Sequence, residues 1–250
     1  MSYSCFADYY DGLTEDVDYA AKAEYFLELC RRFSHEPGLT LDLACGTGSF
    51  MLELKKRNID VMGADMSSDM LTQAQMKLCE AGESALLICC MMQELELPEK
   101  ADTCVCTLDS INHITSEKEL EKAFSHVCGI LSDDGLFIFD ANTVYKHREI
   151  LGDNCFIMDY PEVFCAWQNN YDPETNEVMI TLDFFEPQGK KYIRSGEQFP
   201  ERAYTHEQMK KLLGSAGLEI AGIFDDMSFD PPAADSQREI YVVRKRNNNE

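Results

Sequence analysis

The chain has 250 residues, of which 45% are hydrophobic, so it is long enough to bury one full core and we expect a single domain with an insertion. Asp and Glu number 45 against 22 Lys and Arg, which gives a formal net charge of -23 at pH 7. This acidity argues against nucleic acid as a partner, because a phosphate backbone would meet repulsion and release no counterions on binding.

Short apolar runs alternate with amphipathic helical stretches from residue 39 onward, a pattern typical of an α/β sheet. Five strands and three helices are predicted in this first part. The predicted strands are 39–43, 60–64, 85–90, 102–108 and 136–140, and the predicted helices are 48–57, 67–81 and one that begins at a capping box of Ser116 with Glu119.

The pattern changes after residue 142. Residues 156–201 alternate aromatic and polar residues, with turn signals at 172–175 and 187–189, and predict antiparallel β structure. A capping box of Thr205 with Gln208 then starts a last helix that ends near Gly217. Two strands, 218–224 and 239–244, follow it.

These elements predict a doubly wound, mostly parallel sheet that carries an antiparallel β insertion after its fifth strand. We expect residues 1–147 and 201–250 to form one ligand-binding domain. Residues 148–200 are then the insertion, which covers a substrate pocket or forms a dimer contact.

The turn between the first strand and the first helix carries two glycines, Gly46 and Gly48. A parallel sheet binds ligands at the carboxyl ends of its strands, and bare backbone there lets a ligand approach closely. Asp65 ends the second strand, where a carboxylate can accept both hydroxyls of a ribose. Met51 stands where a dinucleotide site needs its third glycine, so a nucleoside other than a dinucleotide is indicated; the alternative is a tight turn with no ligand.

At this point the chain resembles the class I S-adenosylmethionine-dependent methyltransferases, and in particular a bacterial branch that acts on small molecules. The matching segments are LDLACGTG at 41–48, GADMS at 63–67, 90–95, LDSIN at 108–112 and 131–140. The resemblance covers about residues 6–145 and 202–244. It implies the Rossmann-like methyltransferase fold, a seven-stranded sheet whose last strand is antiparallel, with S-adenosyl-L-methionine as the cofactor.

The resemblance also implies how the cofactor is held. Asp65 would hold the ribose, Met66 would pack against adenine, and Asp42 would fix the turn or reach the cofactor's amino group through water. Many relatives have an aspartate where this chain has Met91, so adenine recognition here falls to backbone groups and packing, or to Gln93. The full set of cofactor-binding residues that we predict is Asp42, Ala44, Gly46, Gly48, Asp65, Met66, Met91, Met92 and Leu108.

Methyl transfer needs a nucleophile in line with the leaving sulfur, and a base only where the nucleophile must lose a proton. The end of the fourth strand would face the methyl group, which makes His113 and Asp109 candidate catalytic residues and Asn112 a candidate substrate contact. His113 is the sharper candidate because imidazoles commonly serve as bases in enzymes, but it is as well explained as a residue that caps or packs the following helix. Tyr10 lies in a segment that folds over the cofactor in relatives, and would orient the acceptor or act as an aromatic staple.

Two further residues are predicted to contact substrate. Trp167 belongs to the aromatic alternation of the insertion, which covers the pocket, forms a dimer contact, or does both. Arg202 follows the insertion and would bind a carboxylate or phosphate; the alternative is an ion pair with Glu201 or a neighbouring acid.

Eleven cysteines are present, an odd number in a long chain, and several lie in apolar stretches. They indicate buried thiols in a reducing cytosol, and no spacing of Cys and His completes a metal site. No signal peptide or run of eighteen apolar residues is found, so we expect a cytoplasmic protein that does not enter membranes.

The function that these patterns favour is transfer of a methyl group from S-adenosylmethionine to an oxygen or nitrogen of a small metabolite. The alternatives are a nicotinamide-dependent oxidoreductase on the same sheet and a non-catalytic protein that binds S-adenosylmethionine. Met51 and the lack of a Tyr-x-x-x-Lys pair argue against the oxidoreductase.

Overall fold

The structure is a computed structural model that describes residues 11–12 and 14–246. Its larger sheet has seven strands, in the spatial order β10-β11-β5-β4-β1-β2-β3. These strands are β1 (Thr40–Leu43), β2 (Val61–Asp65), β3 (Leu87–Cys89), β4 (Ala101–Cys106), β5 (Leu131–Asn142), β10 (Leu218–Asp225) and β11 (Arg238–Lys245). β1 to β5 are mutually parallel, and β11 runs antiparallel to both β5 and β10. The mostly parallel sheet with an antiparallel last strand is therefore confirmed.

The helices of eight residues or more in the described ranges lie on both faces of this sheet. They are α1 (Tyr19–Arg32), α2 (Ser49–Lys56), α3 (Ser68–Glu80), α4 (Glu117–Ile130) and α5 (His206–Ser215). One apolar layer joins the sheet to α4 and α5, and a second joins it to α1, α2 and α3. Cys104 and Cys106 belong to the first layer and Val105 to the second, which is the alternation that a strand buried on both faces requires.

Local sequence signals fix where most helices begin. The Thr205 hydroxyl accepts from the Gln208 N–H and the Gln208 side chain accepts from the Thr205 N–H, so the predicted capping box forms. Ser116 caps α4 by accepting from the Glu119 N–H at 3.5 Å. The sequence pattern predicted neither the bounds of α1 nor the π-helical turn Lys146–Leu151 that follows β5.

The insertion forms a second sheet between β5 and α5. It is a four-stranded antiparallel sheet in the order β6 (Cys155–Asp159), β7 (Phe164–Asp172), β8 (Glu177–Gln188) and β9 (Lys191–Arg202). The strands pair in simple succession, and one face has its own apolar cluster. The predicted antiparallel structure of this segment is confirmed.

We predict that Gly63→Ala destabilises the protein by about 1 to 3 kcal/mol, the usual cost of overpacking a core. Gly63 lies in β2, and a Cβ there would come 2.5 Å from Met51 Sδ and 2.9 Å from Cys45 Sγ, in the core behind the glycine turn. Urea unfolding measures the change. The matched control is Gly129→Ala in α4, where a Cβ meets nothing within 4 Å and a gain of about 1 kcal/mol from helix propensity is expected. Equal effects of the two substitutions would contradict this packing.

Candidate functional site

A cavity of about 580 Å³ lies at the carboxyl edge of the larger sheet, where the insertion sheet covers it. The loops that follow β1, β2 and β4 line it from below. Its upper wall is the inner face of the insertion, and the residues there are Met158, Trp167, Ile180, Leu182, Phe199 and Glu201. The parallel strands thus deliver their loops to one edge, and the insertion closes the space above them.

The turn after β1 leaves the strand through left-handed backbone. Ala44, Gly46 and Gly48 have φ of 59°, 53° and 75°. Gly46 lines the cavity, whereas Gly48 does not: a Cβ on Gly48 would come 3.0 Å from the Ala74 Cβ in α3. Gly46 therefore keeps the backbone bare towards the cavity, and Gly48 lets α2 and α3 approach each other.

Asp65 ties this turn to the end of β2. Its Oδ2 accepts from the Gly46 N–H at 2.9 Å, and its Oδ1 accepts from the Ser67 N–H at 2.8 Å. Burial raises the pKa of Asp65, and these two hydrogen bonds act against that rise. An ionised carboxylate has about four lone-pair positions, so each oxygen retains capacity for a ligand hydroxyl in the cavity.

Asp42 lies in β1 just beneath the turn and is almost completely buried. Its Oδ2 has no hydrogen-bond partner in the described part of the chain. Burial, and then the charge of Asp65, raise the pKa of Asp42 well above its ordinary value. A void of about 20 Å³ beside Asp42 has room for one water, so the carboxylate is placed to bind a donor through a single bridge.

The turn after β4 is held by a network of charges. Leu108 and Asp109 both adopt left-handed backbone, and the buried Asp140 carboxylate accepts from their N–H groups at 2.8 and 2.5 Å. Arg238 on β11 donates to Asp140 Oδ1 at 2.9 Å and to Asp109 Oδ1 at 2.7 Å. Burial opposes ionisation of Asp109, but the charges of Arg238 and Lys146 outweigh it and hold its pKa below the ordinary range.

His113 ends the short 3-10 helix Ser110–His113 that follows this turn, and it lines the cavity. Its Nε2 lies 3.7 Å from Glu201 Oε1, and its ring packs on Phe199 with centroids 5.1 Å apart. Glu201 is buried, and its other oxygen lies 3.7 Å from Nε2 of the fully buried His147. A carboxylate between two imidazoles therefore borders the cavity on the insertion side.

Methionines form the rim on the β2 and β3 side. Met66, Met91 and Met92 all line the cavity, and Met66 and Met91 are exposed. Gln93 lines the same side. The thioethers offer a polarizable surface for a flat ring, and no carboxylate from the Met91 position reaches the cavity.

The cavity brings together most of the residues that the sequence predicted for the site. Within the described ranges, the predicted residues that line it are Ala44, Gly46, Asp65, Met66, Met91, Met92, Leu108, Asp109, His113 and Trp167. Asp42 and Gly48 support the turn from behind. Tyr10 lies outside the described residues.

The structure does not bring Asn112 and Arg202 to the cavity. Asn112 is completely buried, where its side chain donates to the Asn142 and Arg202 carbonyls. Arg202 donates to the Thr115 carbonyl and pairs with Glu117 at 3.0 Å. The ion-pair alternative for Arg202 therefore fits its surroundings, with Glu117 as the acid.

Among the polar residues that line the cavity, Lys146, Arg238 and Glu201 were missed by the sequence reasoning. Arg238 reaches the cavity because β11 lies against β5, and Lys146 lies in the π-helical turn that follows β5. Glu201 directly precedes the predicted residue Arg202, and the alternation of side chains along a strand could have identified it. Glu201 shares a strand face with the inward-facing Phe199, so Arg202 lies on the opposite face.

Comparisons with known proteins agree with this geometry. A family described as methyltransferase domain matches residues 40–135. The solved structure of an S-adenosylmethionine-dependent methyltransferase from Clostridium acetobutylicum is 33% identical, covers 98% of this chain and 99% of its own, and superposes with a TM-score of 0.88.

Two curated proteins extend the comparison. The putative methyltransferase YqeM of Bacillus subtilis is 26% identical over 98% of both chains. A dTDP-3-amino-3,4,6-trideoxy-alpha-D-glucopyranose N,N-dimethyltransferase of Streptomyces venezuelae is 31% identical over 54% of this chain and 56% of its own. No helix in the described residues is long and apolar enough to cross a membrane.

We predict that Asp42→Asn stabilises the ligand-free protein at neutral pH by about 1 to 3 kcal/mol, the cost of an unsatisfied buried polar group. A carboxyl group with a raised pKa in the folded state favours folding below its unfolded pKa, and that contribution is lost as pH rises through the folded pKa. Asparagine does not titrate, so the difference between the two proteins should vanish near about pH 4 and grow above it.

Urea unfolding at several pH values checks this prediction. The control is Asp134→Asn, the same substitution at an exposed position. A destabilised Asp42→Asn protein at neutral pH would show that the carboxylate already has a partner.

Proposed function

Because this chain belongs to the S-adenosylmethionine-dependent methyltransferases, we propose that it methylates an oxygen or nitrogen of a small metabolite bound between the sheet edge and the insertion. The observation that carries the proposal is the single cavity that joins the glycine turn and Asp65 to an enclosed space under the insertion. The similarity to a sugar N,N-dimethyltransferase supports a small-molecule acceptor and favours nitrogen over oxygen as the methylated atom. Neither the oxidoreductase nor the non-catalytic alternative gains support from the comparisons.

The residues at the sheet edge fit S-adenosylmethionine as cofactor. Asp65 has lone pairs left for the ribose hydroxyls, and Gly46 leaves the backbone open. The unpartnered Oδ2 of Asp42 suits the amino group of the methionine half, reached through one water. Met66, Met91 and Met92 would hold the adenine by packing and backbone contacts. The bound cofactor supplies an electrophilic methyl carbon attached to a positively charged sulfur.

His113 is the residue that we propose as the general base. It ends the β4 loop, lines the cavity and is about one third exposed, so it can reach both the acceptor and solvent. Asp109 is less suited to accept a proton, because Arg238 and the Asn142 amide already occupy its carboxylate. We propose instead that Asp109 holds the loop after β4 in its left-handed conformation. In this role Asp109 does not transfer a proton.

Tyr10 stays a prediction as a residue that orients the acceptor. Its neighbour Asp11 supports the idea, because Asp11 accepts from Thr47 in the glycine turn at 2.6 Å and pairs with Lys77 at 2.7 Å. These contacts hold Asp11, the residue that follows Tyr10 in sequence, against the turn after β1. Trp167 and the apolar roof would contact the acceptor and exclude water from the reaction.

Several finer expectations belong to this proposal. Ten free cysteines in the described ranges support a reducing, cytoplasmic location. The net charge of -23 supports action without nucleic acid. A homodimer through the outer part of the insertion is supported by the exposed Ile157, Tyr192 and Ile193.

We predict that Asp65→Ala weakens S-adenosylmethionine binding by about 10- to 100-fold, because a hydrogen bond to a charged group contributes roughly 1.5 to 3 kcal/mol. Isothermal titration calorimetry measures the affinity. Asp69→Ala, an exposed acid in the first turn of α3, is the control and should bind as the unmodified protein does. Equal affinity of the Asp65→Ala protein would mean that the ribose binds elsewhere.

We predict that His113→Gln lowers the rate of methyl transfer by about 10²- to 10⁴-fold, the usual contribution of a positioned base, with cofactor affinity unchanged. Transfer of labelled methyl groups to a metabolite extract measures the rate. The control is His126→Gln. The His126 ring hydrogen-bonds to the Leu95 carbonyl and does not line the cavity. A full rate without the imidazole would assign the base elsewhere.

A further inference from the structure

Glu201 is a carboxylate in an otherwise apolar wall. The β8–β9 register pairs it with Val178, and Phe199, two residues earlier, pairs with Ile180. All four side chains therefore share the face of the insertion sheet that covers the cavity. Glu201 is only 4% exposed, and it stands at the end of this face nearest His113. Burying a carboxylate there is costly unless something pairs with it.

The fixed partners of Glu201 do not use all of its hydrogen-bonding capacity. Oε2 receives one long hydrogen bond, 3.4 Å from Asn142 Nδ2. Oε1 accepts no hydrogen bond from the described residues, and the imidazole Nε2 of His113 is 3.7 Å away, beyond hydrogen-bond distance. Oε1 is thus an acceptor with lone pairs available at the cavity.

His147 is the second imidazole close to Glu201. Its Nδ1 lies 3.1 Å from the Asn176 carbonyl, which can only accept, so Nδ1 carries a proton. Its Nε2 is buried without a hydrogen-bond partner, 3.7 Å from Glu201 Oε2, so His147 makes no hydrogen bond to the carboxylate. His147 belongs to the π-helical turn Lys146–Leu151, a type of element often found at functional sites.

The Lys and Arg side chains that line the cavity bind residues other than Glu201. Arg238 bonds Asp109 and Asp140, and the Lys146 ammonium donates to Asn142 Oδ1 at 2.8 Å. Within the described residues no Lys or Arg lies in ion-pair distance of Glu201. Glu201 Oε1 therefore faces the cavity as a hydrogen-bond acceptor to which the described residues supply no N–H or O–H donor.

We propose that the acceptor of this enzyme is a primary or secondary amine and that Glu201 selects it. An N–H of the amine donates to Glu201 Oε1. The inference rests on the proposed methyltransferase function and narrows its acceptor. The amine lone pair forms the new bond to the methyl carbon, and the electrons of the broken carbon–sulfur bond stay on sulfur. The nitrogen then carries a positive charge and gives one proton to His113 Nε2, which restores a neutral amine.

The surroundings suit a nitrogen better than an oxygen. A methylated ammonium is a cation with little hydration, and the aromatic rings of Trp167 and Phe199 face the same space as Glu201. A carboxylate beside the acceptor stabilises that transient charge. A hydroxyl must lose its proton as the new bond to carbon forms, so an oxygen acceptor does not become an ammonium-like cation beside Glu201.

The experiment uses the purified full chain with labelled S-adenosylmethionine and a small-molecule cell extract, divided in two. One half is treated with acetic anhydride in bicarbonate and then hydroxylamine, which blocks primary and secondary amines and restores hydroxyls. Three proteins are compared: the unmodified enzyme, Glu201→Gln, and the matched control Glu174→Gln in the exposed β7–β8 turn. Glutamine suits the test because its amide N–H can donate to His147 Nε2, which keeps the fold while removing the charge.

We expect the unmodified enzyme and Glu174→Gln to label the untreated extract and to lose that labelling after acetylation. Glu201→Gln should label the untreated extract about 10- to 100-fold more slowly, as expected for a lost charge-assisted hydrogen bond. Its affinity for S-adenosylhomocysteine and its melting temperature should stay unchanged, which separates acceptor recognition from folding and cofactor binding.

Undiminished labelling of the acetylated extract by the unmodified enzyme would overturn the amine assignment and leave the proposed function intact; this arm does not depend on any variant. Full activity of Glu201→Gln would likewise overturn the role of Glu201. No labelling of either extract would contradict the proposed function itself, and the inference with it.

Discussion

Buried carboxylates hold the backbone turns at the carboxyl edge of the sheet, and the whole site depends on them. Asp65 binds the turn after β1 through the Gly46 N–H, and Asp140 binds the turn after β4 through the Leu108 and Asp109 N–H groups. Left-handed backbone at residues other than glycine costs roughly 1 to 2 kcal/mol each, so such turns persist only where side chains fix them. A parallel sheet supplies strand ends at one edge, but these acids shape that edge into a concave site.

The negative charges on the two halves of the site are compensated to different extents. Asp140 is neutralised by Arg238, which also pairs with Asp109, so this half of the site is complete within the protein. Asp42 and Asp65, on the other half, lie close enough that the charge of Asp65 raises the pKa of Asp42, and no Lys or Arg of the described residues forms an ion pair with either acid. This half of the site, where we propose that the cofactor binds, thus has an excess of negative charge, which is the arrangement expected where a positively charged ligand binds.

The insertion sheet forms the upper wall of the cavity. Its cavity face is apolar from Met158 to Phe199 and ends in Glu201, which lies beside the β4 loop. In the proposed function, the cofactor binds at the sheet edge and the acceptor binds where the insertion meets that edge. His113, which touches both Phe199 and the neighbourhood of Glu201, lies at the boundary between the two.

Sequence alone determined the features that depend on local pattern. Strand alternation, the helix caps at Ser116 and Thr205, the glycine turn and the acid at the end of β2 are each patterns of a few neighbouring residues. Periodicity and a family resemblance were therefore enough to predict the sheet and the residues that line the cavity at its carboxyl edge. Strand ends were less certain: β3 is shorter than its apolar run, and β5 continues to Asn142.

Tertiary structure alone decided the rest. Arg238 meets Asp109 across 129 residues of sequence and Asp140 across 98, because β11 inserts next to β5, a pairing that no local pattern encodes. The same holds for Asn112, which is polar in sequence yet buried between the ends of β5 and β9. Which of Glu201 and Arg202 faces the cavity depended on the register of β9 against β8, because a shift of one residue reverses every side chain of a strand.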